Sequence, residues 1–206
     1  MALDDLSFKL YLEDTLSTEF VGLYQLVHLT DLSDNPQDFQ LWLGSLEVGR
    51  QLQANSSPGV DDITLTPTDT MAEWQTAHAY TVGNMRQPTT PNGYVYRVTI
   101  AGTSHASIEP TWPTVGIGST VTDGTVTWAL VGAMHPITEI KLALTSGGLA
   151  GATGGAALNL GDTILSEVAN AVEVNIRVTN TVTTVYSDTG YAEIGLFINE
   201  VVETEV

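Results

Sequence analysis

The chain has 206 residues, 43% of them hydrophobic, which is enough apolar material for a buried core and argues against global disorder. Six Lys+Arg face 24 Asp+Glu for a formal charge of −18, so its surface repels nucleic acid and anionic membranes alike. The sequence contains no cysteine, which rules out disulfides, thiolate zinc sites and thiol nucleophiles together.

The opening MALDDLSFKLYLED has neither a basic n-region nor a long apolar run. No signal peptide is expected there, and synthesis is expected in the cytoplasm. No stretch approaches the ~20 apolar residues of a membrane span. Leu6, Phe8, Leu10 and Leu12 alternate with Ser7, Lys9, Tyr11 and Glu13, the period of a half-buried strand. His28 is expected to pack beside a strand. Phe39, Leu41 and Leu43 repeat the alternation. Trp42 has the opposite parity, so it is expected to face outward as a candidate contact with another subunit. DDITLTPTDT, residues 61–70, reads as a strand running out into a turn.

Residues 72–132 differ in composition. They hold Trp74, Trp112 and Trp128, three of the four tryptophans, with Tyr80, Tyr94 and Tyr96. Their two arginines and three carboxylates leave a net −1, so −17 of the total lies elsewhere. YVYRVTI predicts a strand with Tyr94, Tyr96, Val98 and Ile100 on one face and Val95, Arg97 and Thr99 on the other. Asp123-Gly124, between two Thr-Val-Thr runs, predicts a hairpin turn, with Thr122 opposite Thr125 and Val121 opposite Val126. One face would then carry Val121, Val126 and Trp128. Such ribbons could close over each other with the aromatics between them, which makes Trp128 a core residue. Trp112, between Pro110 and Pro113 in a loop, is the better candidate for exposure.

After the block, HPITEIKLALT begins a strand with Ile140, Leu142 and Leu144 on one face. TSGGLAGATGGAALNLG lacks the Gly-Lys-Ser/Thr of a phosphate loop, and the nearest lysine, Lys141, precedes it. It reads as a flexible connection, or as a strand pair closely approached by another subunit. Residues 162–169 fit a short helix with Asp162 as N-cap, and a strand or loop nearly as well. Val172, Val174, Ile176 and Val178 make the cleanest strand face, and Ala192, Ile194, Leu196 and Ile198 the last. The terminal INEVVETEV has the character of an unpaired strand, an arm able to add to a neighbour.

The chain is therefore expected to be all-β. A discontinuous sandwich or barrel-like outer domain, 1–71 plus 133–206, would carry a small inserted β module, 72–132, at a loop tip. His28, His78, His105 and His135 form no metal-binding spacing. The pairs Asp4-Asp5, Glu13-Asp14 and Asp61-Asp62 are sequence neighbours, which on a strand point to opposite faces, so solvated turn charges explain them better than catalysis. No enzyme, metal or cofactor is expected.

The block also carries a resemblance. Trp74, Tyr80 with Val82-Gly83, Pro88, Asn92-Gly93-Tyr94, Gly102-Thr103-Ser104, Glu109-Pro110-Thr111-Trp112-Pro113 and Asp123-Gly124 with Trp128 resemble a small β module of tailed-bacteriophage virion proteins. Its N-terminal part is similar to carbohydrate-binding modules of the chitin-binding kind, which usually have Gly-Asp where this chain has Gly83-Asn84. LWLGSLEVGRQLQANSSPGVDDITLTP and the stretch from Glu139 to Asn180 resemble capsid-decorating or tail-associated phage proteins. The resemblance implies a virion structural protein, decorating or cementing a capsid as a homo-oligomer, a trimer favoured. It would contact the major capsid protein or other virion proteins on the outer surface of the particle. The alternative is a tail-associated protein or adhesin whose module binds host glycan through Trp112, Tyr80 and Tyr94.

Overall fold

The computed structural model describes residues 5–22, 24, 26, 32–181 and 194–206. The protein is all-β, with several antiparallel sheets and, among the described residues, no helix of seven residues or more. Its strands are β1 (Lys9–Tyr11), β2 (Gln37–Gly44), β3 (Arg50–Ala54), β4 (Thr64–Asp69), β5 (Ala79–Tyr80), β6 (Met85–Arg86), β7 (Tyr94–Ile100) and β8 (Gly102–Thr103). They continue with β9 (Thr120–Asp123), β10 (Val126–Ala133), β11 (Ile140–Ala143), β12 (Leu158–Asn159), β13 (Thr163–Leu165), β14 (Val172–Val178), β15 (Ile194–Ile198) and β16 (Val201–Glu205). Contacts divide the chain into two compact units, one of residues 1–68, 137–180 and 195–206, the other of residues 69–136 and 181–194.

The first unit holds three sheets, ordered β1-β2-β14-β11, β12-β4-β15 and β13-β3-β16. Alternation places Leu41 and Leu43 of β2 in register with Val174 and Val172 of β14, and Phe39 with Ile176, all on one face. Leu10, Leu43 and Val174 of the first sheet meet Leu65, Leu160 and Ile198 around a small apolar gap, the seam of a sandwich. Burying such side chains contributes about 1.5–3 kcal/mol each. Leu144 lies past the end of β11 and is exposed. Ala192 and His28 lie outside the described residues.

Away from Tyr11 and Trp42, the opposite face of the first sheet is polar. Arg177 of β14 makes a bidentate pair with Asp38 of β2, at 2.7 Å from both Nε and Nη2. Gln40 donates to Asn175 at 2.9 Å and to Glu173 at 2.7 Å. Asn175 is nonetheless buried. The Gly-rich run is not a loose connection at its start. Residues Ser146–Ala150 form a short 3-10 helix whose N-cap, Thr145, accepts from Gly148 N at 3.2 Å, and Leu149 beneath it is buried. Farther on, a Cβ at Gly154 would strike the carbonyl of Thr138, so only glycine fits there.

Two terminal expectations change. β1 spans three residues because the chain folds back after it, with Leu12 N donating to Thr18 O and Phe20 N to Leu10 O. That return buries Tyr11 and leaves Leu12 exposed. The C-terminal segment is not a free arm. β16 pairs with β3 from Val201↔Ala54 to Glu205↔Arg50, and Glu203 accepts both the N–H and the hydroxyl of Ser7 at 2.7 Å. Within residues 162–169, Thr163–Leu165 form β13 paired with β3, and Val168 and Ala169 belong to a single 3-10 turn, Val168–Asn170, whose N-cap position is Glu167 and not Asp162.

Candidate functional site

The second unit is built on the sheet β6-β7-β10-β9, with the short pair β5-β8 beside it. β7 and β10 hydrogen-bond directly as neighbours rather than closing over each other. The aromatics are covered instead by the segments that carry Trp74, Tyr80 and Trp112. Val95, opposite in parity to Tyr96, is fully buried too, so β7 is covered on both faces at that level.

The hairpin turn lies one residue later than its dipeptide suggests. Asp123 pairs with Val126 and Val121 with Trp128, so the two loop residues are Gly124 and Thr125. Gly124 has φ 61°, and Thr125 does not have positive φ, the pattern of a type II′ loop with glycine first. The shift preserves the expected apolar face of Val121, Val126 and Trp128. It also puts Asp123 on that face, inside the core.

Asp123 is 3% exposed and its carboxylate is fully engaged. Oδ2 accepts Trp74 Nε1 at 2.8 Å and Trp128 Nε1 at 3.3 Å, and Oδ1 accepts His105 N at 2.7 Å. Three N–H donors around one buried carboxylate offset the cost of its desolvation. Tyr80 and Trp112 each meet Trp128 edge-on, at 4.7 and 5.5 Å between ring centroids. Trp112 also lies 4.4 Å from Tyr96. The Tyr96 hydroxyl donates to Pro113 O at 2.9 Å and accepts from Asn92 at 2.8 Å, and burial pushes its pKa up.

The three residues expected to contact a glycan fall in different places. Tyr80 is 2% exposed, its ring between His78 and Trp128 and its hydroxyl accepting from Gln75 N at 2.8 Å. It is part of the core and presents no stacking face. Trp112 and Tyr94 are half-buried against the same cluster. The Trp112 indole N–H donates to Glu109 Oε1 at 2.8 Å, and Glu109 in turn accepts from the backbone and hydroxyl of Thr89. Of these, Trp112 and Tyr94 retain surface. In the first unit, Trp42 is half-buried, in register with Tyr11 on one side and Glu173 on the other.

Of the carboxylate pairs, Glu13 accepts from Ser17 and Thr18 and Asp61 from Ser56, each within its own turn, whereas Asp62 accepts from Asn159, 97 residues on; Asp4 lies outside the described residues. His105 Nδ1 accepts the N–H groups of Ser107 and Ile108. Among the described residues, no cluster of three His, Asp or Glu is placed to hold a metal ion. No described helix is long and apolar enough to cross a membrane.

One surface of the first unit went unread in the sequence. Glu167 N donates to Ser45 O at 2.7 Å, Ser166 N to Arg50 O at 2.9 Å and Val206 N to Gly49 O at 3.0 Å. These bonds gather the β2–β3 turn, the end of β13 and the C-terminus at one corner. Leu46, Val48, Leu165, Val168 and Val206 stand there at 57, 78, 44, 44 and 77% exposure. No run of alternation marks them, because they come from three segments brought together only by the strand order. Glu167 at the centre has φ 78° and ψ 149°, a conformation that normally needs glycine.

No family model, curated protein or solved structure matches this chain.

Proposed function

We propose that the protein is a virion structural protein that decorates or cements the capsid of a tailed bacteriophage. On this reading the first unit seats on the shell, contacting the major capsid protein, as a homo-oligomer, a trimer around a local threefold being favoured. The second unit projects outward, and no cofactor is needed. The observation that carries the reading is the exposed apolar corner of the first unit, since cementing works by burying such surface between neighbours. The virion-like sequence of both parts of the chain supports it. The test is reconstitution. Particles stripped of the protein are expected to lose resistance to heat and to regain it when the protein is added back. Unchanged resistance after stripping removes the cementing role.

A second reading draws on Trp112, whose indole N–H is bound to Glu109, and on Tyr94, both half-buried. Here the protein belongs to the tail or acts as an adhesin, and the second unit binds host polysaccharide by ring stacking. Imaging where the copies lie on a particle separates the two.

A further inference from the structure

We infer that the apolar corner formed by Leu46, Val48, Leu165, Val168 and Val206 is a docking surface for a protein partner with an apolar centre and a Lys/Arg-rich rim. The inference rests on the decoration reading only for who that partner is. Its chemistry follows from the corner itself.

The residues share a face for a geometric reason. Leu165 is in register with Gln51, which is in register with Thr204, so Leu165 and Thr204 share the outward face of the sheet β13-β3-β16. Val206, two residues past Thr204, returns to that face beside the turn that bears Leu46 and Val48. The inward face of the same sheet holds Leu52, Ala54, Ile164 and Val201, all buried. The rest of the outward face is polar, Gln51 donating to Thr204 and Gln53 to Thr163, so the apolar side chains gather only at its end, where Leu165 and Val206 meet the turn and the segment after β13.

Two further observations point to a partner. Glu167 holds φ 78° without being glycine, and its N–H is tied to Ser45 O at 2.7 Å. Strain of this kind costs ~1–3 kcal/mol and persists where the surrounding structure over-determines it, typically at ligand clamps and switch regions. Here it lies between Leu165, the last residue of β13, and Val168, the first of the following 3-10 turn. The rim is acidic as well. Glu47, Glu167 and Glu205 stand on these segments, while Arg50 is already held by Glu203 and Glu205 at 3.8 and 3.6 Å.

Charge then chooses the occupant. The unit carries 18 carboxylates against four Lys+Arg, and Glu47, Glu167 and Glu205 rim the corner, so a second copy seated at this corner would meet acid with acid. Like-charge juxtaposition disfavours that pairing, and a basic rim favours the opposite one. A nucleic acid or anionic lipid surface is disfavoured on the same ground.

The test uses the intact protein, isotope-labelled, with a synthetic peptide alternating leucine and arginine as probe and its leucine–glutamate counterpart as control. Shift changes are expected at residues 46–48, 165–168 and 206 with the arginine peptide alone. Leu165→Ser with Val168→Ser, both at exposed positions, should weaken binding by about tenfold or more while leaving the unfolding midpoint near that of the parent. Changes spread over the whole acidic surface, equal binding in the serine variant, or self-association that the serine substitutions abolish would each overturn the inference. Reconstitution on particles separates it from the decoration reading. If the serine variant still decorates, decoration stands and the corner is not its docking surface. If the peptide binds at the corner but no variant or parent decorates, the corner stands and the decoration reading falls.

Discussion

Trp74 and Asp123, 49 residues apart, are joined by a buried hydrogen bond of 2.8 Å from the indole N–H to Oδ2. The same oxygen accepts Trp128, and the other oxygen accepts the backbone of His105. Asp123→Ala would leave two buried donors and one partly buried donor without their acceptor. Each unmet bond to a charged group costs about 1.5–3 kcal/mol, and these are not additive, so a loss on the order of 3 kcal/mol is expected. Urea unfolding followed by tryptophan fluorescence measures it. A loss below about 1 kcal/mol would mean the carboxylate does not organise the second unit.

The turn after Asp123 gives a second expectation. Gly124 has φ 61°, and a Cβ there would also meet the carbonyl of Thr103. Gly124→Ala should cost more than the ~1 kcal/mol of an ordinary glycine substitution, because conformation and space are both denied. Thr125→Ala removes only the hydroxyl that accepts Thr103 N at 2.8 Å, at an exposed position, and should cost about 1 kcal/mol or less. Equal calorimetric midpoints for the two variants would mean that Gly124 is not held at positive φ against Thr103.

Much of the β architecture can be read from alternation alone. Val172–Val178 and Phe39–Leu43 are strands because their apolar residues recur at period two, and they pair with each other across 130 residues of chain for the same reason. The fate of Trp128 follows from the same parity. Asp123 does not, since aspartate before glycine is the ordinary signature of an exposed turn. Only the register, set by which loop residue takes positive φ, carries it inward. Tyr11 and Tyr80 are likewise decided by segments that fold back over them, at 12–20 and 74–80, and not by their neighbours in sequence. The apolar corner needs three segments and so has no local signature.

Glu167 allows the strain at the corner to be measured directly. At φ 78° and ψ 149°, glycine is the one residue at ease, so Glu167→Gly should stabilise the fold by about 1 kcal/mol, the relief being partly offset by the added freedom of the unfolded chain. Glu167→Val should destabilise it, since a β-branched residue resists this conformation more strongly. Chemical denaturation of both variants checks the sign. Destabilisation by glycine would show that the Glu167 side chain, rather than its backbone, matters most.

The Asp38–Arg177 pair should make stability depend on acidity. The hydrogen bonds from Arg177 hold the Asp38 carboxyl below its ordinary range, with burial opposing and the guanidinium charge adding to the effect. A carboxyl whose folded value is depressed contributes stability that is present above the unfolded value and is lost as pH falls through the folded one. The loss therefore comes below the ordinary carboxylate value, on the acid side. Both side chains are partly exposed, at 26 and 43%, so the effect is small and screened by salt. Asp38→Asn should shift the urea midpoint at neutral pH and leave it nearly unchanged in strong acid. Equal shifts at both would mean that packing and not the ion pair is responsible.

Trp112 decides between a structural and a binding role for the second unit's surface. One of its neighbours is Trp128, fully buried, and another is Tyr96, also fully buried, so part of the indole is committed to the core. Its N–H is committed to Glu109. Stacking a sugar needs an open ring face, and a ring already used on one side can offer only the other. The part of the tryptophan emission open to a soluble quencher should fall in Trp112→Phe, since Trp74 and Trp128 are buried. Trp112→Ala would open the cluster and cost ~3 kcal/mol or more, which would confuse any binding test. Trp112→Phe retains most of the packing and removes the N–H. If the second unit binds polysaccharide, chito-oligosaccharides should shift the emission of the parent protein, and Trp112→Phe should weaken binding with the unfolding midpoint nearly kept. If the ring is structural, the sugars leave the emission unchanged, and Trp112→Phe registers only as a stability loss of about 1 kcal/mol from the lost bond to Glu109.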